Sequence, residues 1–551
     1  MPVSSEFPAF EPPKVDIFNF MFERKEREYP DDKALYTDPE TGRSYTYASV
    51  KAAATDFGKG LRAVWDWKKG DVVALYSPNC IDTPAIMWGT LWAGGVLSPA
   101  NFAYTADELA FQLKDSNAKA LVTQVDFLPV ALKAAEIAGL DREFIILMGD
   151  KRLQDASFKH FTSIRNISGA IRYRKAKVVP EKDLAFLVYS SGTTGLPKGV
   201  MLTHQNITSN LLQLQASESN KLSWQGGPSG KGDRILAFLP FFHIYGLTCL
   251  IMQSCHRGFE LVVMAQFELE RFCQIVQEYK ISFVYLVPPI LLGLAKHPIV
   301  NKYDLSSLRM VNSGAAPLTK ELILALQKRF ELPVKQGYGL SETSPTTHVL
   351  PWDDWKSRMG STGKLLPNLQ AKYLDADGNE LPVGETGELA LKGPNVFKGY
   401  LNRPELTKDA FTPDGFFKTG DIGHEDKDGY FYITDRAKEL IKYKGFQVAP
   451  AELEGLLIDH PKVDDAAVVG VYSEEHASEL PRAYLVVKQG VAANEATAEE
   501  ISSWLASKVA PHKKLRGGIR FKEAIPKSTS GKLLRRLLKD EAKREGAKAK
   551  L

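Results

Sequence analysis

Between residues 30 and 330, short apolar runs alternate with helix-compatible segments, and few architectures accept that pattern. The runs fall at residues 72–76, 120–123, 144–148, 235–238, 283–287 and 308–311. They are long enough for buried strands and too short for helices. Strands separated by helical stretches predict parallel sheets with helices on their faces. From about residue 355 to 434 the texture changes. The turn pairs Asp377-Gly378, Asp414-Gly415 and Asp428-Gly429 follow closely, with β-rich runs at 388–391 and 430–434, which predicts antiparallel hairpins. After Asp435 a smaller α+β unit is expected, with strands near 466–471 and 483–488 and helices near 450–457 and 498–509. A chain of 551 residues exceeds what one core supports, so two or more domains are expected.

Residues 189–200 read YSSGTTGLPKGV. Glycines let backbone N–H groups turn inward as an anion-binding nest. Ser190, Ser191, Thr193 and Thr194 add hydroxyl donors, Gly192 and Gly195 add backbone freedom, and Lys198 adds a point charge. A polyphosphate matches such a loop; an ordinary polar turn is the alternative. The apolar run 184–189 before it and the helix-compatible 206–215 after it suggest the order strand, glycine-rich loop, helix. The loop is not a Walker A motif, because Gly192 lacks a following Gly-Lys-Ser/Thr at the required spacing. The dinucleotide pattern also fails, since GYGLSE at 337–342 has Glu342 where its third glycine belongs.

Further groups point the same way. In QGYGLSET (336–343), Tyr338 between two glycines offers a flat face to a planar base, and Ser341 and Glu342 suit a phosphate and its magnesium. In FFKTGD (416–421), Asp421 at a tight turn can grip a ribose diol. In DRAKELIKYKGFQVAPAELE (435–454), Asp435 and Arg436 stand at the texture change as a possible hinge, and Lys438, Lys442 and Lys444 concentrate charge beside Gly445. In PKSTSGKLLRR (526–536), a Ser/Thr/Gly turn holds Lys532. In PFFHIYG (240–246), His243 is flanked by aromatic residues. Each has a plain structural alternative: a buried Tyr, a turn Asp, a solvated basic segment, a surface Lys, a core His. Together they supply what activating a carboxylic acid with ATP requires: sites for polyphosphate, base, ribose and magnesium, and a cation for developing charge.

The net charge of +4 gives no reason to expect a nucleic acid partner, although residues 526–551 carry nine Lys/Arg against three Asp/Glu. The four cysteines, at 80, 249, 255 and 273, are too scattered for a disulfide framework or zinc site and fit a reducing compartment. No transmembrane helix is expected, because the most apolar stretch, 81–100, is interrupted by Asp82, Pro84, Gly94, Gly95 and Pro99. The N-terminus lacks the form of a secretory signal. Ala549-Lys550-Leu551 has the small–basic–Leu form of a peroxisomal address, which implies an import receptor as partner and a peroxisomal location, with cytoplasm as the alternative.

The motifs YSSGTTGLPKGV, QGYGLSE, FFKTGD, DRAKELIKYKGFQVAPAELE and PKSTSGKLLRR stand in the order found in the acyl-adenylate-forming (AMP-binding) superfamily. The chain resembles most its 4-coumarate–CoA ligase-like acyl-CoA synthetase branch, through PFFHIYG and LIKYKGFQVAPAELE. The resemblance implies an α/β fold: a large N-terminal domain, residues 1–434, of two α/β sheets plus a β-barrel, and a small mobile α+β C-terminal domain, residues 435–551. It implies ATP, Mg2+ and CoA as co-substrates and cofactor, and an aromatic or medium-chain carboxylic acid converted through acyl-AMP to its CoA thioester. It implies that Ser190, Ser191, Gly192, Thr193, Thr194 and Lys198 hold phosphates, that Gln336, Gly337 and Tyr338 contact the adenine side, and that Ser341 reaches the α-phosphate. Glu342 would bind magnesium, and Asp421 and Arg436 the ribose. Lys532 would bridge carboxylate and α-phosphate, with Lys438 and Lys442 assisting the adenylate. Lys444 and Gly445 would turn toward CoA after the small domain rotates. His243 would sit where the pantetheine tunnel meets an acid pocket lined by Tyr245, Cys249, Ala315, Gly339, Pro345 and Thr346.

Three positions depart from the branch. Ser341 replaces a common Thr and keeps the hydroxyl. Cys249 and Gln266 stand where plant coumarate ligases commonly have Ser and Lys, and so alter the acid pocket and a CoA-side contact. Alternative functions are a luciferase-type oxygenase, against which PFFHIYG argues, a stand-alone enzyme loading a carrier domain, and a degenerate binding protein, against which the presence of Lys198 and Lys532 argues.

Overall fold

The computed structural model describes residues 2–153, 157–190, 197–218, 221–315, 318, 320–436, 439–443, 446–473, 476, 478–509, 511–528 and 531–548. The predicted alternation folds as two mainly parallel sheets. The eight-stranded sheet runs Gly399–Tyr400, Lys198–Thr203, Leu184–Ser190, Val96–Ala100, Val72–Tyr76, Ala118–Gln124, Ile145–Met148, Lys159–His160 in spatial order. The nine-stranded sheet runs Lys364–Leu365, Thr346–Val349, Val334–Gly339, Met310–Ser313, Phe283–Leu286, Arg234–Ala237, Glu260–Val263, Ala34–Thr37, Ser44–Thr46. The central strands are buried along their length, as expected when helices cover both faces.

Both sheets share one apolar core reaching from Ile17 to Phe431, with Trp88 fully buried within it. Helices Tyr47–Trp65 and Thr83–Trp92 cross there at backbone contact. A Cβ on Gly58 would lie 2.7 Å from the Gly89 carbonyl oxygen, and one on Gly89 would lie 2.6 Å from that of Ala54. The barrel segment corresponds to a five-stranded antiparallel sheet, ordered Val3–Ser4, Gln370–Leu374, Gly387–Lys392, Phe417–Glu425, Phe431–Arg436. A bridge between Gly363 and Phe431 links its last strand to the edge of the nine-stranded sheet.

A second apolar cluster, from Ile441 to Ile519, forms the core of a smaller C-terminal domain. It is built on strands Val463–Ser473, Ser478–Val487 and Ile519–Phe521, with helices Pro450–Ile458, Glu495–Ala506 and Arg535–Lys548 around them. The helix expected at 498–509 starts earlier because Asn494 caps it, its side chain accepting from Thr497 N at 3.0 Å. The run expected as a strand at 308–311 shifts to Met310–Ser313, because Leu308 closes a turn onto Leu305 O at 3.0 Å.

One expectation is overturned. The glycine-rich loop is not followed directly by a helix. It joins strand Leu184–Ser190 to a second strand, Lys198–Thr203, in an antiparallel pair with Lys198 opposite Ser190 and Thr203 opposite Leu184. Helix His204–Glu218 therefore begins a full strand away, and its N-terminal amides do not serve the loop. The reason lies in Val200, Leu202 and Thr203, all buried, which pack as a strand against the sheet before any helix can start.

Candidate active site

A cavity of about 1210 Å³ opens along the carboxyl ends of strands Phe283–Leu286, Met310–Ser313 and Val334–Gly339 and is closed from the other side by the small domain. The carboxyl edge of a parallel sheet is where such folds place ligands, because the loops there diverge and leave a crevice. Ser190, Lys198, Gln336, Gly337, Tyr338, Ser341, Glu342, Asp421 and Lys532, distant in sequence, all face this cavity.

Asp421 lies within strand Phe417–Glu425, not at a tight turn; Gly420 before it takes φ +73°, which turns the backbone locally. The Tyr338 hydroxyl donates to Asp421 Oδ2 at 2.6 Å, so the aromatic face between the two glycines is held by the carboxylate. Asp421 is paired across the ladder with Arg436, whose backbone alone is described. Gly339 must be glycine: a Cβ there would lie 2.1 Å from the Pro345 carbonyl oxygen. Pro345 and Thr346 thereby reach the cavity wall.

Ser341 and Glu342 occupy a short turn, Ser341–Thr343, at the cavity edge. Glu342 Oε1 accepts from the Tyr400 hydroxyl at 2.9 Å, and Lys198 Nζ lies 5.2 Å from the Tyr400 ring centroid. Tyr400 thus joins the loop lysine to the acidic residue, and no sequence motif marks it. Among the described residues no group of three or more His, Cys, Asp or Glu is arranged to hold a metal ion. Glu342 is one carboxylate at the cavity edge, the donor set of an ion that keeps waters and is shared with phosphates rather than caged by protein.

The Lys532 turn closes on itself: Ser528 N donates to Lys532 O at 2.8 Å, and Lys532 N to Ser528 Oγ at 3.1 Å. Gly531, at φ +78°, brings the turn against the large domain, where a Cβ would meet Val287 Cγ2 at 3.2 Å. Directly after it, Arg535 pairs with Glu454 at 2.6 Å and also with Glu439. Lys527 pairs with Asp465 at 2.5 Å.

His243 is half-buried, and its Nδ1 accepts from Tyr245 N at 3.2 Å, which leaves Nε2 to carry the proton of the neutral ring. Burial lowers its pKa to about 4, and the Lys532 ammonium adds to the effect. The Tyr245 hydroxyl meets Asn312 Nδ2 at 3.0 Å. Cys249 lies in the helical turn Gly246–Met252, with Sγ 3.7 Å from Thr346 Oγ1, and burial pushes its thiol up to about 12, so it packs as a neutral group. Ala315 takes φ +66° at the end of strand Met310–Ser313, a left-handed conformation that alanine rarely adopts. Tyr245, Cys249, Ala315, Gly339, Pro345 and Thr346 all line the cavity.

Ser191, Gly192, Thr193, Thr194, Lys438, Lys444 and Gly445 lie outside the described residues, and at Lys442 the backbone alone is described. Sequence reasoning missed Tyr400, Asn312 and Glu218, which line the cavity without belonging to a recognisable chemical pattern; Arg535 stands inside PKSTSGKLLRR but was given no role.

Buried neutral histidines give the fold a pH dependence. Burial lowers His348 to about 3 and His160 and His204 to about 4, like His243. The ordinary value is 6.5, so between about 4 and 6.5 the unfolded chain binds more protons than the folded one. Stability is therefore full above pH 6.5 and lost as pH falls toward 4. We expect the melting temperature to drop steeply over that interval. His348→Phe, at a ring stacked 4.7 Å from Phe431, is expected to flatten the drop. An unchanged slope would remove His348 from the account.

The AMP-binding enzyme family model matches residues 22–401, and the model of the AMP-binding enzyme C-terminal domain matches residues 452–532. The chain is 41% identical over 523 residues to the probable 4-coumarate–CoA ligase 1 of Dictyostelium discoideum, covering 92% of each chain. It is 37% identical over 530 residues to the 4-coumarate–CoA ligase of Pinus taeda, covering 95% of this chain and 94% of that one. The crystal structure of ATP-bound MatB from Rhodopseudomonas palustris superposes with a TM-score of 0.83 at 28% identity, covering 96% of this chain and 99% of the other.

Proposed function

The chain belongs to the AMP-binding enzyme family, and on that premise we propose how its residues divide the work of an AMP-forming acid–CoA ligase. The reaction is ATP-dependent ligation of a carboxylic acid to CoA through an acyl-adenylate. The observation that carries the assignment is that Lys532, from the small domain, faces the same cavity as Tyr338, Ser341, Glu342 and Asp421 from the large one.

In the first step the acid's carboxylate attacks the α-phosphate of ATP and pyrophosphate leaves. Ser190, Lys198 and the intervening loop hold the phosphates. Tyr338 and Gly337 receive the adenine side, and Asp421 with Arg436 the ribose. Lys532 bridges the carboxylate and α-phosphate. Its contribution is positional and electrostatic, because an ammonium fixed by its own turn needs no rearrangement as charge develops. Magnesium fits at Glu342 and would neutralise phosphate charge there. In the second step the CoA thiol attacks the acyl-AMP and AMP leaves. A domain boundary near Asp435 would let the small domain, residues 435–551, withdraw Lys532 and present Lys444 and Gly445 to CoA, with Lys438 and Lys442 assisting the adenylate. The change of core between Phe431 and Ile441 supports a hinge in this segment. His243, neutral at ordinary pH, stands beside Tyr245 at the entry to the acid pocket. That pocket, lined by Tyr245, Cys249 and Thr346, suits an aromatic or medium-chain acid.

Pyrophosphate release with ATP, magnesium and a panel of aromatic and C6–C12 acids, each with and without CoA, tests the reading. Release accompanied by a thioester supports it; release without thioester points to another acceptor. We also propose that Ala549-Lys550-Leu551, which lie outside the described residues, direct the protein to peroxisomes where they close the mature chain. Deleting them is expected to leave activity intact and make a fluorescent fusion diffuse; an unchanged punctate pattern would overturn the address.

A further inference from the structure

The phosphate side of the cavity brings opposite charges together. Lys198 and Glu342 both face it, one at the start of strand Lys198–Thr203 and the other in the turn Ser341–Thr343. Among the described residues no ion pair joins them; Tyr400 meets both instead. Its hydroxyl donates to Glu342 Oε1 at 2.9 Å, and Lys198 Nζ lies 5.2 Å from its ring centroid. The Glu342 side chain is buried and has no other hydrogen-bond partner among the described residues. Backbone fixes the ring from both sides. Tyr400 stands opposite Val200 in an antiparallel pair, and Lys398 N and Leu401 N donate to Met201 O and Gly199 O at 3.0 and 2.8 Å. Phe397 N donates to Glu342 O at 2.8 Å, and Tyr400 N to Thr407 Oγ1 at 2.9 Å. Segment 397–401 is thus stapled to the loop strand at one end and to the acidic turn at the other.

A lysine and a glutamate free to approach in a partly dry cavity would pair, and a phosphate would then have to break that pair to bind. The tyrosine opposes this collapse in two ways. Its face attracts the ammonium, and its hydroxyl occupies one carboxylate oxygen and so orients the other. Losing the hydroxyl would make the carboxylate more basic, which favours a metal ion, but would also let it rotate. The second effect dominates where the remaining ligands are waters and phosphates that cannot orient it. We propose that Tyr400 is a positioning residue of the phosphate site: its ring keeps Lys198 off Glu342 and its hydroxyl aims Glu342, so that a cation for phosphate and a carboxylate for its magnesium stand side by side. This rests on the roles proposed above for Lys198 and Glu342.

The test measures binding of α,β-methylene-ATP, whose α–β bridge cannot be cleaved, to the full-length protein by calorimetry, with magnesium and with EDTA. The ratio of the two Kd values reports what magnesium adds at the site. Tyr400→Phe keeps the ring and loses the hydroxyl; the ratio is expected to fall by about tenfold while Kd in EDTA stays within about twofold. Tyr400→Ala removes the spacer. In EDTA it is expected to raise Kd by about tenfold in the wild-type background, and by less than about twofold where Glu342→Gln is already present, because Lys198 then has no carboxylate to fall onto. A tyrosine that served the fold alone would weaken binding equally in both backgrounds. A ratio unchanged in Tyr400→Phe, or an alanine effect equal in the two backgrounds, would overturn the proposal while leaving the ligase reading standing. Equal wild-type binding with magnesium and with EDTA would remove magnesium from Glu342 and this inference with it.

Discussion

Replacing Lys532 with alanine is expected to slow acyl-adenylate formation by about a hundred- to a thousandfold, the usual effect of removing one preorganised charge-stabilising group. Thioester formation from supplied acyl-AMP and CoA should continue near its normal rate. The asymmetry follows from the geometry. The turn bearing Lys532 is closed by its own hydrogen bonds to Ser528 and rests against Val287 through Gly531. Removal of the ammonium therefore leaves the docking surface and the other cavity walls in place. On the proposed division of labour, the adenylation step would lose the cation that faces the reacting oxygens, while the second step would use an arrangement in which Lys532 has been withdrawn. Arg535 and Lys527, which fix the flanks of the turn, remain. Measuring pyrophosphate exchange for the first half-reaction and thioester formation for the second separates the two. Equal loss in both would show that Lys532 supports the fold of the small domain rather than adenylation.

Asp421→Ala is expected to weaken ATP use by roughly two orders of magnitude in kcat/KM, corresponding to about 3 kcal/mol. Two losses add here. The carboxylate assigned to the ribose is gone, and the Tyr338 hydroxyl loses an acceptor 2.6 Å away in a buried setting. The ring then loses the anchor at its hydroxyl, although its packing on His348 and Phe431 stays. Asp421→Asn keeps an acceptor for Tyr338 and is expected to retain more activity than alanine. Tyr338→Phe should resemble wild type more closely than either, since it removes the donor without touching the ribose contact. Alanine and asparagine variants with unchanged KM for ATP would dismiss the assignment.

The strand at 72–76 was legible to the residue, because an unbroken apolar run of that length has one stable home, the middle of a covered parallel sheet. The helix at 450–457 was legible to within a residue from its proline start. The order around the phosphate loop was not. Residues 198–203 are compatible with strand or helix start, and only their pairing with Leu184–Ser190, a tertiary fact, decides for strand. The same limit governs the site. Motifs delivered Tyr338, Glu342, Asp421 and Lys532 because each stands beside a glycine or a serine in a short run with its own local chemistry. Tyr400 and Glu218 act through neighbours brought close by folding: Tyr400 reaches Glu342 across 58 positions and Lys335 reaches Glu218 across 117. Nothing in their immediate sequence announces those partners.

The pairing of Arg535 with both Glu439 and Glu454 has a mechanical meaning. Glu439 lies just past the segment assigned as the hinge, Glu454 sits on helix Pro450–Ile458, and Arg535 opens the helix that follows the Lys532 turn. One guanidinium thus ties the segment proposed as the pivot to the turn that carries Lys532, as a crank pin would. Were the small domain to turn about that segment as proposed, torque at the pivot would reach the tip without backlash, and the stroke of Lys532 would be set by the angle of the hinge and not by slack in the small domain.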